Sequence, residues 1–286
     1  GNMYKIAMRM GFNLAQTSAE HLRAHSRIHP QRDCSPASDG TSGGWPLPNS
    51  GLALTPFGAL TIVAENPCDS AMNATLLREL EQLLGPKGVL ARPEDLMLYE
   101  NDGSVEEGRP DCIVFPRSRQ DVVEIVKLAN RHQTPLVGRG AGTGLSGGAL
   151  ARRGGIVVTF SRMNRILQVD EENLRAVVEP GVVNLDLTRA VEHLGLYFAP
   201  DPSSQRACTI GGNVSENSGG PHTLAYGVTA NHVTGLELVL PDAQVVRVGG
   251  ATLETPGYAL TRLVVGSEGT FALLTEITVR LLRAPE

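Results

Sequence analysis

The sequence predicts an α+β fold, and three observations carry that prediction. Short runs of branched apolar residues, such as Cys112 to Phe115, Ile156 to Phe160 and Val233 to Leu240, recur along the chain and read as strands. Only a few stretches hold apolar residues at helical spacing. Several strand-like runs are joined by glycine-rich segments in place of helices, and the 286 residues include 32 glycines. Strands in sequence with few helices between them point away from a regularly alternating α/β sheet.

Taken in order, the first strong element is a helix over Ala74 to Leu84, with Leu76, Leu77, Leu80, Leu83 and Leu84 on one face and Gly85-Pro86 as its stop. Cys112 to Phe115 is a strand. Ser118 and Asp121 make a capping box for a helix whose inner face is Val122, Ile125, Val126 and Ala129, ending near His132. Pro135 to Gly138 is the next strand. After it come strands at Ile156 to Phe160 and Leu174 to Glu179, a Pro180-Gly181 turn, and a helix from Leu185 to Leu194. Thr209 can cap a short helix starting at Ile210. Val233 to Leu240 and Gln244 to Val248 flank Pro241-Asp242-Ala243 as a hairpin, and Leu263 to Val265 and Thr270 to Leu282 read as strands.

The stretch Val137 to Gly148 concentrates bare backbone in a way no packing argument requires. Glycines let a ligand approach the main chain, so successive N–H groups there can converge on a phosphate. Gly142-Thr143-Gly144-Leu145-Ser146-Gly147 matches the dinucleotide fingerprint, with Asp170 about twenty residues on. That fingerprint must open a crossover helix, and no helix fits between Gly148 and Gly155, so the match is a decoy. A nucleoside-triphosphate loop is excluded by the absence of lysine. Asp201 to Gly220 is a second backbone-rich stretch, in which a helix N-terminus at Ile210 offers another anion site.

Four motifs in order resemble one known family. They are Arg109-Pro110-Asp111-Cys112-Ile113-Val114-Phe115-Pro116; the glycine loop; Thr209-Ile210-Gly211-Gly212-Asn213 with Asn217-Ser218-Gly219-Gly220; and Val265-Gly266-Ser267-Glu268-Gly269-Thr270. From about Asn73 onward the chain is similar to the flavin domain of the vanillyl-alcohol-oxidase-type (PCMH-type) FAD family, in particular its D-2-hydroxy-acid dehydrogenases. The resemblance implies a two-lobed domain, lobe 1 at about 73–162 and lobe 2 at about 163–286, with FAD between the lobes. It implies that Arg139, Gly140, Ala141, Gly142, Thr143 and Gly144 hold the pyrophosphate through main-chain N–H groups. Thr209, Gly212, Asn213 and Ser218 would lie along the pyrophosphate and flavin, and Glu268 and Gly269 at the far end of the cofactor.

The implied activity is hydride transfer from a small 2-hydroxy acid to FAD. Members of the family that tether flavin place a histidine or cysteine against it; the glycine loop has neither, so FAD is expected to be non-covalent, with Cys208 the one exception to weigh. Relatives continue into a cap lobe that supplies a histidine base and often a metal. This chain stops after the flavin domain, so the cap lobe is expected to be absent or supplied by partner subunits of an oxidase complex, and no catalytic residue is named. His222 and His232 are the histidines left, in a spacing that fits no common zinc site, and no metal is expected. A flavin-binding or assembly subunit without chemistry of its own is the alternative.

Composition narrows the rest. The net charge of −5 gives no reason to propose nucleic acid as partner, and no apolar run reaches membrane-spanning length. The four cysteines form no framework, which favours a reducing compartment; the cytoplasm is expected, with mitochondria as the alternative. Residues 1–72 are expected to be a disordered tail or non-native leader: Ser35 to Gly58 has no hydrophobic period, and the basic start has a transit-peptide flavour. His21, His25 and His29 recur every four residues, but without a carboxylate in zinc spacing they read as a solvated face.

Overall fold

The computed structural model describes residues 73–250 and 257–285. The expectations for residues 1–72, including the tail and the His21, His25 and His29 row, lie outside the described residues. Helix α1 (Ala74–Leu84) begins where Asn73 accepts the N–H of Thr75, and Gly85 ends it. Strand β1 (Val89–Leu90) and a short helix α2 (Pro93–Leu96) follow. Helix α3 (Arg119–Arg131) is capped by Ser118, whose hydroxyl accepts from Asp121 N at 3.2 Å. The reciprocal half of the capping box is shifted by one residue, because the Asp121 carboxylate accepts from Arg117 N at 2.8 Å.

Two sheets form the frame. The first runs β1–β2–β4–β3, with β2 (Cys112–Val114), β3 (Leu136–Arg139) and β4 (Ile156–Thr159) parallel to one another and β1 antiparallel at the edge. Both faces are covered, which is why its strands read as continuous apolar runs. Cys112, Val114, Ile156 and Val158 pack beneath α1 and α3, while Ile113 and Val157 pack on the other side with Ala151. Strands β3 and β4 are parallel neighbours, yet the link between them holds no helix. The dinucleotide reading is excluded by that link, as the spacing required.

The second sheet is antiparallel throughout, in the order β5 (Ile166–Asp170), β6 (Arg175–Val178), β10 (Leu273–Arg280), β8 (Val233–Val239) and β9 (Val245–Gly249). Strands β8 and β9 make the expected hairpin, with Ala243 at φ 64° in the turn. Strand β8, between β10 and β9, is buried along its length. Val239 and Leu273 join the α1–α3 cluster, so the two sheets share apolar core.

Helix α4 (Asn184–Val191) and β7 (Leu196–Tyr197) precede α5 (Ile210–Glu216) and α6 (Thr223–Tyr226). His193 is exposed in a tight turn after α4. Leu263 to Val265, expected as a strand, lies largely in helix α7 (Leu260–Val264), which buries Leu260 and Val264 one turn apart. A short apolar run fits either period, and the buried i, i+4 pair decided for the helix. The run from Thr270 to Leu282 is not one strand either. It starts at Leu273 and breaks at Leu281, whose N–H donates to Leu174 O at 2.7 Å, before β11 (Leu282–Arg283) pairs with β7. Among the described residues, no helix is long and apolar enough to cross a membrane.

Candidate functional site: a cleft between two glycine motifs

The glycine loop leaves β3 through Arg139, a buried arginine that organises it from below. Its guanidinium donates to Asn101 O at 2.7 Å, Ala149 O at 3.4 Å and Tyr99 O at 3.5 Å, and lies 5.5 Å from the Tyr99 ring centre. Burial draws its pKa below the ordinary arginine value, partly offset by Asp102 and Tyr99. The loop is tied again where Gly144 O accepts from Gly103 N at 2.9 Å, and where Ser146 Oγ donates to Glu216 at 2.7 Å. These contacts use carbonyls and side chains. None of the N–H groups from Gly140 to Gly144 donates to an acceptor on the described residues. Unpaired donors on a fixed loop are what an anion site requires.

The second motif meets the first directly. A Cβ on Gly140 would sit 2.4 Å from Thr209 Oγ, so only a bare backbone permits the approach. Thr209 caps α5 as expected, accepting from Gly212 N at 3.3 Å. The expectation that this helix start presents free N–H groups is overturned. Ile210 N donates to Val182 O and Gly211 N to Pro180 O, both at 2.8 Å, Gly212 N is taken by the Thr209 cap, and Asn213 N donates to Thr209 O at 2.9 Å. The chain preceding α5 folds back and satisfies the donors itself. Gly211 is needed for that packing, since its Cβ would lie 2.7 Å from the Pro180 side chain. The donors left unpaired in this region are those of the first loop.

Between the motifs runs a cleft of about 330 Å³, with more apolar than polar wall. Arg139, Gly140, Ala141, Gly142, Thr143, Gly144, Thr209, Gly212, Asn213, Ser218, Glu268 and Gly269, twelve positions taken from three separated motifs, all line it. The fourth motif is brought there by α5, whose Val214 O and Ser215 O accept from Gly266 N at 2.8 Å and Glu268 N at 2.9 Å. Glu268 and Gly269 both take positive φ, at 52° and 73°. The Asn213 side chain is fixed by Asn184, which donates to its carbonyl oxygen at 2.9 Å, and itself donates to Cys208 Sγ at 3.3 Å.

Several wall residues escaped sequence reasoning. Glu216 reaches back to Ser146 across seventy positions of sequence, and Asp102, in a loop with no motif, holds a buried oxygen (Oδ2) with no partner. Pro202, Ser203 and Ser204 fall inside the backbone-rich stretch Asp201 to Gly220 but are not identified individually from sequence as wall residues. His232 is buried at 2 % exposure and its Nε2 hydrogen-bonds Tyr226 O at 3.0 Å; burial lowers its pKa. It does not line the cleft, and neither does His222.

A two-sheet frame, a glycine loop with unpaired donors and a cleft between the motifs together suit a ligand carrying phosphate. Residues 110–249 match the family described as FAD binding domain, and over that stretch the chain belongs to it, in its PCMH-type branch. Its curated relatives include the glycolate oxidase subunit GlcD of Bacillus subtilis, 45% identical over 210 residues, which cover 73% of this chain and 45% of that protein. D-2-hydroxyglutarate dehydrogenase of Stutzerimonas stutzeri is 38% identical over 73% of this chain and 46% of its own length. D-lactate dehydrogenase of Anaerostipes hadrus is 37% identical over 71% and 43%. Among solved structures, alkyldihydroxyacetonephosphate synthase superposes with a TM-score of 0.68 at 22% identity over 79% of this chain and 43% of that one, a likeness of fold. The chain thus spans less than half the length of these relatives.

Proposed function

We propose that this chain is the FAD-binding portion of an FAD-dependent D-2-hydroxy-acid dehydrogenase of the glycolate and D-lactate type. One observation carries the reading: the unpaired N–H groups of Gly140 to Gly144 lie in the same cleft as Thr209, Asn213 and Glu268. The cradle fits a dinucleotide's pyrophosphate, because it offers donors in a row, no side-chain bulk and the buried Arg139 charge beneath. The names of the relatives supply the substrate class.

In this reading Ala141, Gly142, Thr143 and Gly144 bind the pyrophosphate through their N–H groups, with Gly140 giving the close approach to Thr209. Arg139 acts through loop shape and charge. Thr209, Gly212, Asn213 and Ser218 line the path toward the flavin, and Glu268 and Gly269 the other end of the cofactor. FAD when bound supplies the hydride acceptor, and the protein's work is to orient substrate and cofactor and to exclude water. FAD is held without a covalent bond: no histidine or cysteine lies in the loop, and Cys208 Sγ is buried and engaged by Asn213. Completion of the substrate site by a cap lobe or by partner subunits of an oxidase complex belongs to the same proposal, as does action in the cytoplasm.

The test is spectroscopic. Purified protein should carry the visible absorption bands of flavin, and anaerobic mixing with glycolate, D-lactate or D-2-hydroxyglutarate should bleach them in the complete enzyme. A flavin spectrum that none of these acids bleaches would mark the chain as a flavin-binding subunit without this chemistry.

A further inference from the structure

The wall of the cleft carries more negative than positive charge, the reverse of what a phosphate alone would favour. Its charged residues are Arg139 on one side of the balance and Asp102, Glu216 and Glu268 on the other. The Arg139 charge is also shared, because Asp102 acts on the guanidinium and three backbone carbonyls accept from it. Attraction for a pyrophosphate therefore rests mainly on the unpaired N–H groups of Gly140 to Gly144. The carboxylates need another account.

Glu216 is the carboxylate set against that donor row. It is the last residue of α5, and its Oε2 accepts from Ser146 Oγ at 2.7 Å, which holds the group against the glycine loop. Its Oε1 lies 3.4 Å from where a Cβ on Gly144 would be and 3.3 Å from where one on Gly148 would be. Glu268 Oε2 lies 3.4 Å from that same Gly148 position. Gly144 ends the row of unpaired donors, and Gly144, Gly148, Glu216 and Glu268 all line the cleft. Among the described residues Ser146 is the one hydrogen-bond partner of the Glu216 side chain, so Oε1 keeps its acceptor capacity. An ionised carboxylate accepts hydrogen bonds and donates none. Beside a phosphate row it favours a neighbouring hydroxyl and repels a further phosphate oxygen.

We propose that Glu216 makes the cleft specific for the dinucleotide form of flavin, a role that rests on the FAD reading above. Its Oε1 accepts from a sugar hydroxyl beside the pyrophosphate and turns away ligands that end in a phosphate. FAD meets both conditions, because its pyrophosphate is esterified at both ends and a hydroxylated chain or ring follows each phosphate. FMN and ADP each place a terminal phosphate, with its additional charge, where FAD continues into a sugar. Glu268 adds to the same repulsion from the neighbouring wall.

The experiment titrates the full-length apoprotein with FAD, FMN and ADP by calorimetry and involves no turnover. The wild type should prefer FAD over both, and Glu216→Gln should reduce each preference by about tenfold or more, the worth of one charge-assisted hydrogen bond. Glutamine still offers an oxygen to Ser146, so the melting temperature should stay near that of wild type while the charge is lost. Raising the salt concentration should narrow the wild-type preference, because mobile ions screen the carboxylate, and should change that of Glu216→Gln much less. A merely structural tie between α5 and the loop would weaken FAD, FMN and ADP together and leave their ratios and salt dependence alone. An unchanged ratio in Glu216→Gln would overturn the selective role and leave the FAD reading standing. So would a wild-type preference indifferent to salt, a result that requires no variant. A wild-type apoprotein that binds no FAD would overturn both.

Discussion

Gly142 is constrained from within its own loop. A side chain there is expected to enter the space of the pyrophosphate, and the structure adds a second obstacle: a Cβ would lie 2.2 Å from Arg139 Nη2, and φ is 68°, a conformation that β-branched residues resist. Arg139 cannot swing aside freely, because it is buried and bonded to three carbonyls. Gly142→Val should therefore weaken FAD binding by about a hundredfold or more, since backbone strain of roughly 1–3 kcal/mol adds to the displaced guanidinium. Isothermal titration of the apoprotein with FAD measures it, and an unchanged affinity would sink the loop assignment. Thr209→Ala should cost about 1 kcal/mol through the lost cap on α5, visible as a lower melting temperature, and Thr209→Ser should recover most of it.

Among the elements, α3 and the second sheet are joined by a buried charge. Glu237 sits at 4% exposure on β8 and accepts from Arg119 on α3 and Arg247 on β9, each at 3.0 Å, and from Thr275 on β10 at 3.0 Å. Burial alone would raise its pKa; the hydrogen bonds from Thr275, Arg247 and Arg119 outweigh that and hold it below the usual carboxylate value. The sign follows directly. A depressed folded-state pKa gives stability that is present above the unfolded value and lost as pH falls through the folded one. Glu237→Gln should lower stability at neutral pH by roughly 1–3 kcal/mol and flatten the acid side of the stability profile. Chemical denaturation from neutral to acidic pH would expose the opposite outcome, an acid limb unchanged from wild type.

For the whole molecule, the prediction concerns how the cofactor is held. With Cys208 buried against Asn213 and no histidine in the glycine loop, acid precipitation should release the yellow colour to the supernatant. A coloured pellet would show a covalent tether, with Cys208 the first residue to replace.

What the sequence determined by itself was local: helices with a full apolar face, the capping threonine, the hairpin, and the glycine runs that only backbone function explains. The α+β class and the family followed, because four motifs in fixed order seldom recur by chance. What only the tertiary structure decided was pairing across distance. Which donors stay free is one such matter, since the N–H groups at the start of α5 are consumed by Pro180 and Val182, thirty or so residues earlier. The Ser146–Glu216 bond and the seat of Arg139 beneath Gly142 are others. A motif records the backbone freedom a segment needs. Its partners are chosen by how the two sheets and their loops close on one another, and no residue announces that in its own neighbourhood.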